Sequence, residues 1–304
     1  MVKKYTDKQL MKIFNIDKKT LGRFWQIRRE TIKEAEKIKK HFFEKEIRIL
    51  FVSGAVRHKK DCPQEDSNSE WLLEQAMDEA KKLGAKVELI KLWDYNIQPC
   101  KGCYSTTNTQ CHYKCSCYPE GTKDADDMTS ILYDKISWAD GIIFSTPVHN
   151  FKISSPSSLF IDRAISMDGS LEPANLKYPK DKGLNKKHSK FIELTGDDKI
   201  WGSGYLPRLT NKVAGIIVTG HEAGLSIAVS SLFLTLNQFG MIFPKEATMW
   251  ATGDVTKGTY ADKKSMRAEE HAKTARRLAC DVFKLIKYLK GCKGYWPEYD
   301  STHN

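Results

Sequence analysis

Four short apolar runs constrain the fold more than anything else in this chain: IRILFVSG (47–54), KVELIKLW (86–93), GIIFSTP (141–147) and VAGIIVTG (213–220). Three of them lack the polar–apolar alternation of a half-solvated strand, and so suit strands buried on both faces. Between them lie helical patterns: SNSEWLLEQAMDEAKKLG ending at Gly84, DDMTSILYDKISWAD, SSPSSLFIDRAI with Pro156 near its first turn, and GLSIAVSSLFLTLNQFG stopped by Gly240. MIFPKEATM (241–249) reads as a fifth strand weakened by Pro244, and Lys264 to Lys290 as a closing amphipathic helix ended by Gly291. Strands alternating with helices predict an α/β fold, a doubly wound, five-stranded parallel sheet covered on both faces.

Residues 1–46 precede this rhythm as a basic helical extension, with 14 Lys or Arg against 7 Asp or Glu of a chain whose formal net charge is +11. Leu21, Phe24, Trp25, Ile32, Ala35 and Ile38 keep helical spacing, and TDKQLMKIFNIDKK reads as a helix and tight turn before them. That arrangement resembles a helix-turn-helix loosely, but the turn lacks glycine; packing on the main domain or a second subunit is the favoured role, and nucleic-acid binding is not expected. The main domain is assigned to 47–291, interrupted by a Lys-, Pro- and Gly-rich excursion at 164–211, with a tail at 292–304. Hydrophobic residues make up 40% and charged residues 29%, there is no apolar run long enough for a membrane span, and the first residues lack a signal-peptide pattern. A cytoplasmic protein is expected, where eight cysteines point to metal or redox chemistry before structural disulfides.

In an open parallel sheet ligands bind beyond the carboxyl ends of the strands. After the first strand, Ser53, Arg57, Ser67, Asn68 and Ser69 offer donors at a helix start that carries an S-x-x-E capping box from Ser67 to Glu70. Neither a P-loop nor a dinucleotide fingerprint is present, so the anion expected there belongs to neither ligand class. After the third strand, Pro147, Val148, His149, Asn150 and Phe151 supply apolar surface and backbone groups for a flat heteroaromatic ring; after the fourth, Gly220, His221 and Gly224 allow close approach.

The order of these features resembles the flavodoxin-like NAD(P)H-dependent FMN reductases and the iron–sulfur flavoproteins grouped with them. The resemblance rests on the Ser/Arg/Ser-Asn-Ser loop, PCKGC after the second strand, DDM opening a helix, and GIIFSTPVHNF leading to SSPSSLFIDR. It implies FMN, with phosphate at Ser53, Arg57, Ser67, Asn68 and Ser69, the ring against Pro147 to Phe151, and Gly220 and His221 at its far edge. It also implies a homo-oligomer passing electrons from NAD(P)H to a quinone, flavin or metal ion. The alternatives are an electron-carrier flavoprotein with a cysteine-bound iron–sulfur cluster serving a protein partner and, less favoured, a redox-responsive DNA-binding regulator.

The stretch QPCKGCYSTTNTQCHYKCSCYP (98–119) holds Cys100, Cys103, Cys111, Cys115 and Cys117. Four of these thiolates could hold a 4Fe–4S cluster beside the flavin, or zinc with His112 as a substitute ligand. Thr106 stands where the compact iron–sulfur flavoprotein pattern carries a third cysteine. The other reading is a metal-free thiol loop with a Cys100–Cys103 or Cys115–Cys117 redox pair.

Overall fold

A computed structural model describes residues 5–57, 60–61, 64–220, 222–252 and 263–292. Five strands run parallel: β1 (Arg48–Ser53), β2 (Lys86–Lys91), β3 (Gly141–His149), β5 (Val213–Gly220) and β6 (Thr248–Thr252), in the order β2-β1-β3-β5-β6. This is the flavodoxin-like, doubly wound order, in which the chain reverses direction across the sheet between β1 and β3. A two-residue β4 (Lys152–Ile153) folds back antiparallel on the end of β3.

Alternate side chains of each strand enter opposite layers. From β1, Leu50 and Val52 join a cluster with Ile136, Phe160 and Leu232, while Ile49 and Phe51 join one with Leu72, Leu278 and Val282. The first layer carries α4 (Tyr133–Trp138), α5 (Ser155–Ala164) and α7 (Glu222–Gln238); the second carries α3 (Asn68–Lys82) and α9 (Glu269–Gly291). Burial on both faces explains why β1, β3 and β5 read as continuous apolar runs.

Four details differ from the sequence reading. The last parallel strand begins at Thr248, because Ile242 makes only an isolated bridge to Val213 before the turn carrying Pro244. β3 continues through Pro147, which pairs in register with Thr219, to His149. The closing helix is broken into α8 (Lys263–Met266) and α9 at Arg267–Ala268, and the helix after Asp127 opens with one π-helical turn, Met128–Leu132. Among the described residues no helix is long and apolar enough to cross a membrane.

The extension and the excursion fold against each other. α1 (Asp7–Phe14) and α2 (Lys18–Phe42) bury Leu10, Phe14, Leu21, Phe24 and Ile27 against Leu171, Phe191, Ile192 and Tyr205. Phe191 and Ile192 belong to α6 (Lys182–Thr195), inside the excursion. Several basic residues of the extension act as structural donors: Arg28 bonds Ser203 O at 2.7 Å and Thr195 O at 2.8 Å, and Arg23 pairs with Glu172 at 2.6 Å.

Candidate active site

The carboxyl ends of β1, β3 and β5 surround a cleft of about 540 Å³, within the range of about 300–1,000 Å³ usual for small-molecule sites. Arg57, Ser67 and Asn68 line one side, Pro147, Val148, His149, Asn150 and Phe151 another, and Thr219, Gly220 and Gly224 the third. His221 lies outside the described residues. Val56 and Met266 also line the cleft and were not foreseen; Met266 reaches it from α8, far away in sequence, and no local motif announces it.

Ser53 and Ser69 are correctly placed in the chain but do not face the cleft. Both are fully buried, Ser53 Oγ donating to Glu70 Oε2 at 3.1 Å and Ser69 Oγ pairing with Ser67 Oγ at 2.8 Å. Glu70 is therefore spent on Ser53 and on Lys91, at 2.6 Å, and the expected capping box does not form. Ser67 occupies the N-cap of α3 with no side-chain capping bond to a first-turn backbone amide. The helix thus presents its first-turn amides and partial positive charge without a side-chain cap, beside the Arg57 guanidinium. Asn68 is fixed by Arg267 Nε at 2.9 Å, and Arg267 pairs with Asp66 at 3.1 Å. That hydrogen bond from Arg267 holds the Asp66 carboxyl down at about 2.

The opposite wall depends on two glycines. A Cβ on Gly220 would stand 2.7 Å from Val148 Cβ, and one on Gly224 would stand 2.4 Å from Val148 Cγ1. Glycine at both positions lets the end of β5 and the start of α7 lie against the β3 end, so that Val148 is pressed into the wall. Beyond Val148 the chain turns at Asn150 and Phe151, with φ of 48° and 64°, and returns as β4. The Phe151 ring is 60% exposed at the mouth of the cleft.

This geometry fits FMN: an uncapped helix start and an arginine for a phosphate, a flat apolar wall for a ring, and a position at the strand-order reversal. The family model described as NADPH-dependent FMN reductase matches residues 47–187, which include β1, α3 and the whole β3–β4 hairpin.

Over residues 47–187 the chain is similar to the NADPH-dependent FMN reductase family.

An iron-sulfur flavoprotein of Archaeoglobus fulgidus is 34% identical over 97 residues, covering 32% of this chain and 42% of that protein. One of Methanocaldococcus jannaschii is 27% identical over 118 residues, covering 39% and 52%. The chain thus spans about half the length of the curated relatives it matches. A solved structure of RosB with bound 8-demethyl-8-formylriboflavin-5′-phosphate superposes with a TM-score of 0.57 at 20% identity, covering 81% of each chain, a likeness of fold.

The thiol loop leaves β2 and packs beside α5. A buried ion pair holds it: Arg163 of α5 meets Asp126, and also donates to Gln98 O at 2.9 Å and Thr129 Oγ1 at 3.0 Å. The Tyr118 ring lies 4.5 Å from that guanidinium. Two separate stretches of the family-like pattern, DDM and FIDR, therefore meet in space.

All five cysteines carry free thiols, Cys111 and Cys115 buried, the others half-buried. Cys103 Sγ and Cys117 Sγ stand 3.3 Å apart, and Lys180 Nζ from the excursion lies 3.2 Å from Cys103 Sγ. A hydrogen bond from Cys117, aided by the Arg163 charge, holds the Cys115 thiol down at about 7, while burial pushes Cys111 up to about 11. Among the described residues no three His, Cys, Asp or Glu side chains are arranged to hold a metal ion. Sulfurs sharing one tetrahedral metal at about 2.3 Å would stand about 3.8 Å apart, wider than Cys103 and Cys117. Lys180, moreover, donates to a sulfur that a metal would need. His112 turns Nδ1 to Ser116 Oγ at 2.6 Å, and its Nε2 is buried without a partner. As they stand, Cys103 and Cys117 do not fit as two ligands of a single tetrahedral metal ion.

Proposed function

We propose that this chain is an FMN-dependent oxidoreductase that accepts electrons from NAD(P)H and passes them to a small acceptor such as a quinone, a flavin or a metal ion. The observation that carries this reading is the single cleft that unites an uncapped helix start and Arg57 with the Pro147–Phe151 wall. When bound, FMN supplies the redox chemistry, and the chain supplies binding, orientation and electrostatics. The α3 start and Arg57 bind the phosphate, with Asn68 held in place by Arg267. Pro147, Val148 and Met266 give the ring apolar contact and exclude water from its inner face, while His149, Asn150 and Phe151 stand at the exposed rim where nicotinamide and acceptor enter. Arg57 and the net charge of +11 favour an anionic reduced ring.

The test is the absorption spectrum of anaerobically purified protein, with and without added FMN, followed by NAD(P)H addition. Stoichiometric flavin that bleaches with NADH or NADPH and recovers with a quinone is the expected result. A protein that retains no added FMN refutes the proposal.

A further inference from the structure

The thiol loop carries a redox group of its own, independent of the flavin reading. We infer that Cys103 and Cys117 form a reversible dithiol–disulfide pair, with Lys180 as the cation that orients and activates it. The sulfurs are separated by 14 residues yet lie 3.3 Å apart, so closing to an S–S bond of about 2.05 Å requires an approach of about 1.3 Å. At that separation two thiolates would repel each other; a proton between the sulfurs, or the Lys180 ammonium beside them, relieves the repulsion.

The placement of Lys180 is built into the fold. Its segment is bound to the thiol loop through Gln110 Nε2 to Lys180 O at 3.3 Å, Lys180 Nζ to Gln110 O at 3.3 Å, and Asn185 Nδ2 to Gln110 Oε1 at 3.1 Å. Asn185 also donates to Pro179 O at 2.8 Å, closing the turn that holds the lysine. Access distinguishes the pair further: Cys103 and Cys117 are half-buried, whereas Cys111 and Cys115 are buried, and Cys100 accepts the Gly102 amide at 3.4 Å. The pair joins the C-x2-C and C-x-C motifs across the loop.

The co-reactant is a low-molecular-weight disulfide, RSSR. One cysteine thiolate attacks it, forming a mixed disulfide and expelling RS⁻, which takes up a proton. The second cysteine loses its proton and attacks the protein sulfur of the mixed disulfide, expelling the second RSH. The two cysteines lose two electrons and two protons, and RSSR becomes two RSH.

Full-length protein, reduced anaerobically with a phosphine, is equilibrated across glutathione redox buffers, alkylated and mapped by mass spectrometry. A Cys103–Cys117 cross-linked peptide that appears and disappears reversibly with the buffer ratio is the expected result. No cross-link at any ratio, a different pair, or stoichiometric iron or zinc released by thiol alkylation overturns the inference. Lys180→Met should slow the exchange by on the order of tenfold, with Lys180→Arg restoring most of the rate. An unchanged rate in Lys180→Met removes the lysine from the pair.

Discussion

Phe151 sits in a left-handed backbone conformation that glycine adopts freely and a β-carbon makes costly, by about 1–2 kcal/mol. Asn150 before it is also left-handed, so the β3–β4 hairpin uses a turn whose second position ordinarily favours glycine. The ring is largely exposed, so packing offsets little of that cost. An aromatic retained under such strain at the rim of the cleft is expected to serve the incoming acceptor. Phe151→Gly should therefore leave the unfolding free energy unchanged or raise it, by up to about 1 kcal/mol, while the KM for a planar quinone increases severalfold. A loss of stability in urea titration would mean the ring is core after all. Arg57→Gln tests the other end: removal of a charge-assisted contact worth about 1.5–3 kcal/mol should weaken FMN binding on the order of ten- to hundredfold, by fluorescence titration.

Among the elements, the thiol loop and α5 depend on one buried ion pair. Asp126 and Arg163 have side-chain exposures of 0% and 1%. Breaking such a pair by removing one charge typically costs about 3–5 kcal/mol, so Asp126→Asn should lower the urea midpoint sharply, and the thiol loop should lose protection in hydrogen exchange. Asp168, just beyond α5, behaves in the opposite sense. Burial raises its carboxyl to about 6, so the folded state binds the proton more tightly than the unfolded chain. Its ionisation therefore costs stability, a cost that is absent below pH 4, grows between pH 4 and 6, and is complete above 6. Asp168→Asn should raise the melting temperature at pH 7.5, for a gain of at most about 3 kcal/mol, and change nothing at pH 3.5. A gain that persists at pH 3.5 would rule out the titration as its cause.

For the molecule as a whole, the basic extension is part of the packed structure. Arg208, nearly buried, forms a two-pronged pair with Glu34 of α2 at 2.7 Å and 2.7 Å, and Arg28 closes over Phe191. Deleting residues 1–46 would uncover Phe191, Ile192 and Leu171 and leave Arg208 without its carboxylate. The truncated protein should aggregate, eluting in the void volume in gel filtration where the full chain elutes as a defined species. A well-behaved truncation would show that the extension is not needed to cover Phe191, Ile192 and Leu171.

Strand positions, helix faces and the place of the three strand-end loops were legible in the chain because burial on both sheet faces and the loop residues at strand ends leave local patterns: β1, β2 and β5 lie where their apolar runs predicted. The β6 boundary was not legible, since which residues after Pro244 pair with β5 depends on the partner strand. Ser67 and Glu70 match a capping box in spacing, but Ser53 and Lys91, brought near by β1 and β2, compete for Glu70 and leave the helix start uncapped. The cysteine cluster shows the same limit. Spacing alone permitted a cluster, zinc or either neighbouring pair, and the contact between Cys103 and Cys117 with Lys180 beside them arises from the packing of the excursion against the loop. Periodicity and turn chemistry act over a few residues and remain visible in the order of the chain. Competition for a carboxylate, or the meeting of a thiol and an ammonium 77 positions away, exists only once the chain has folded.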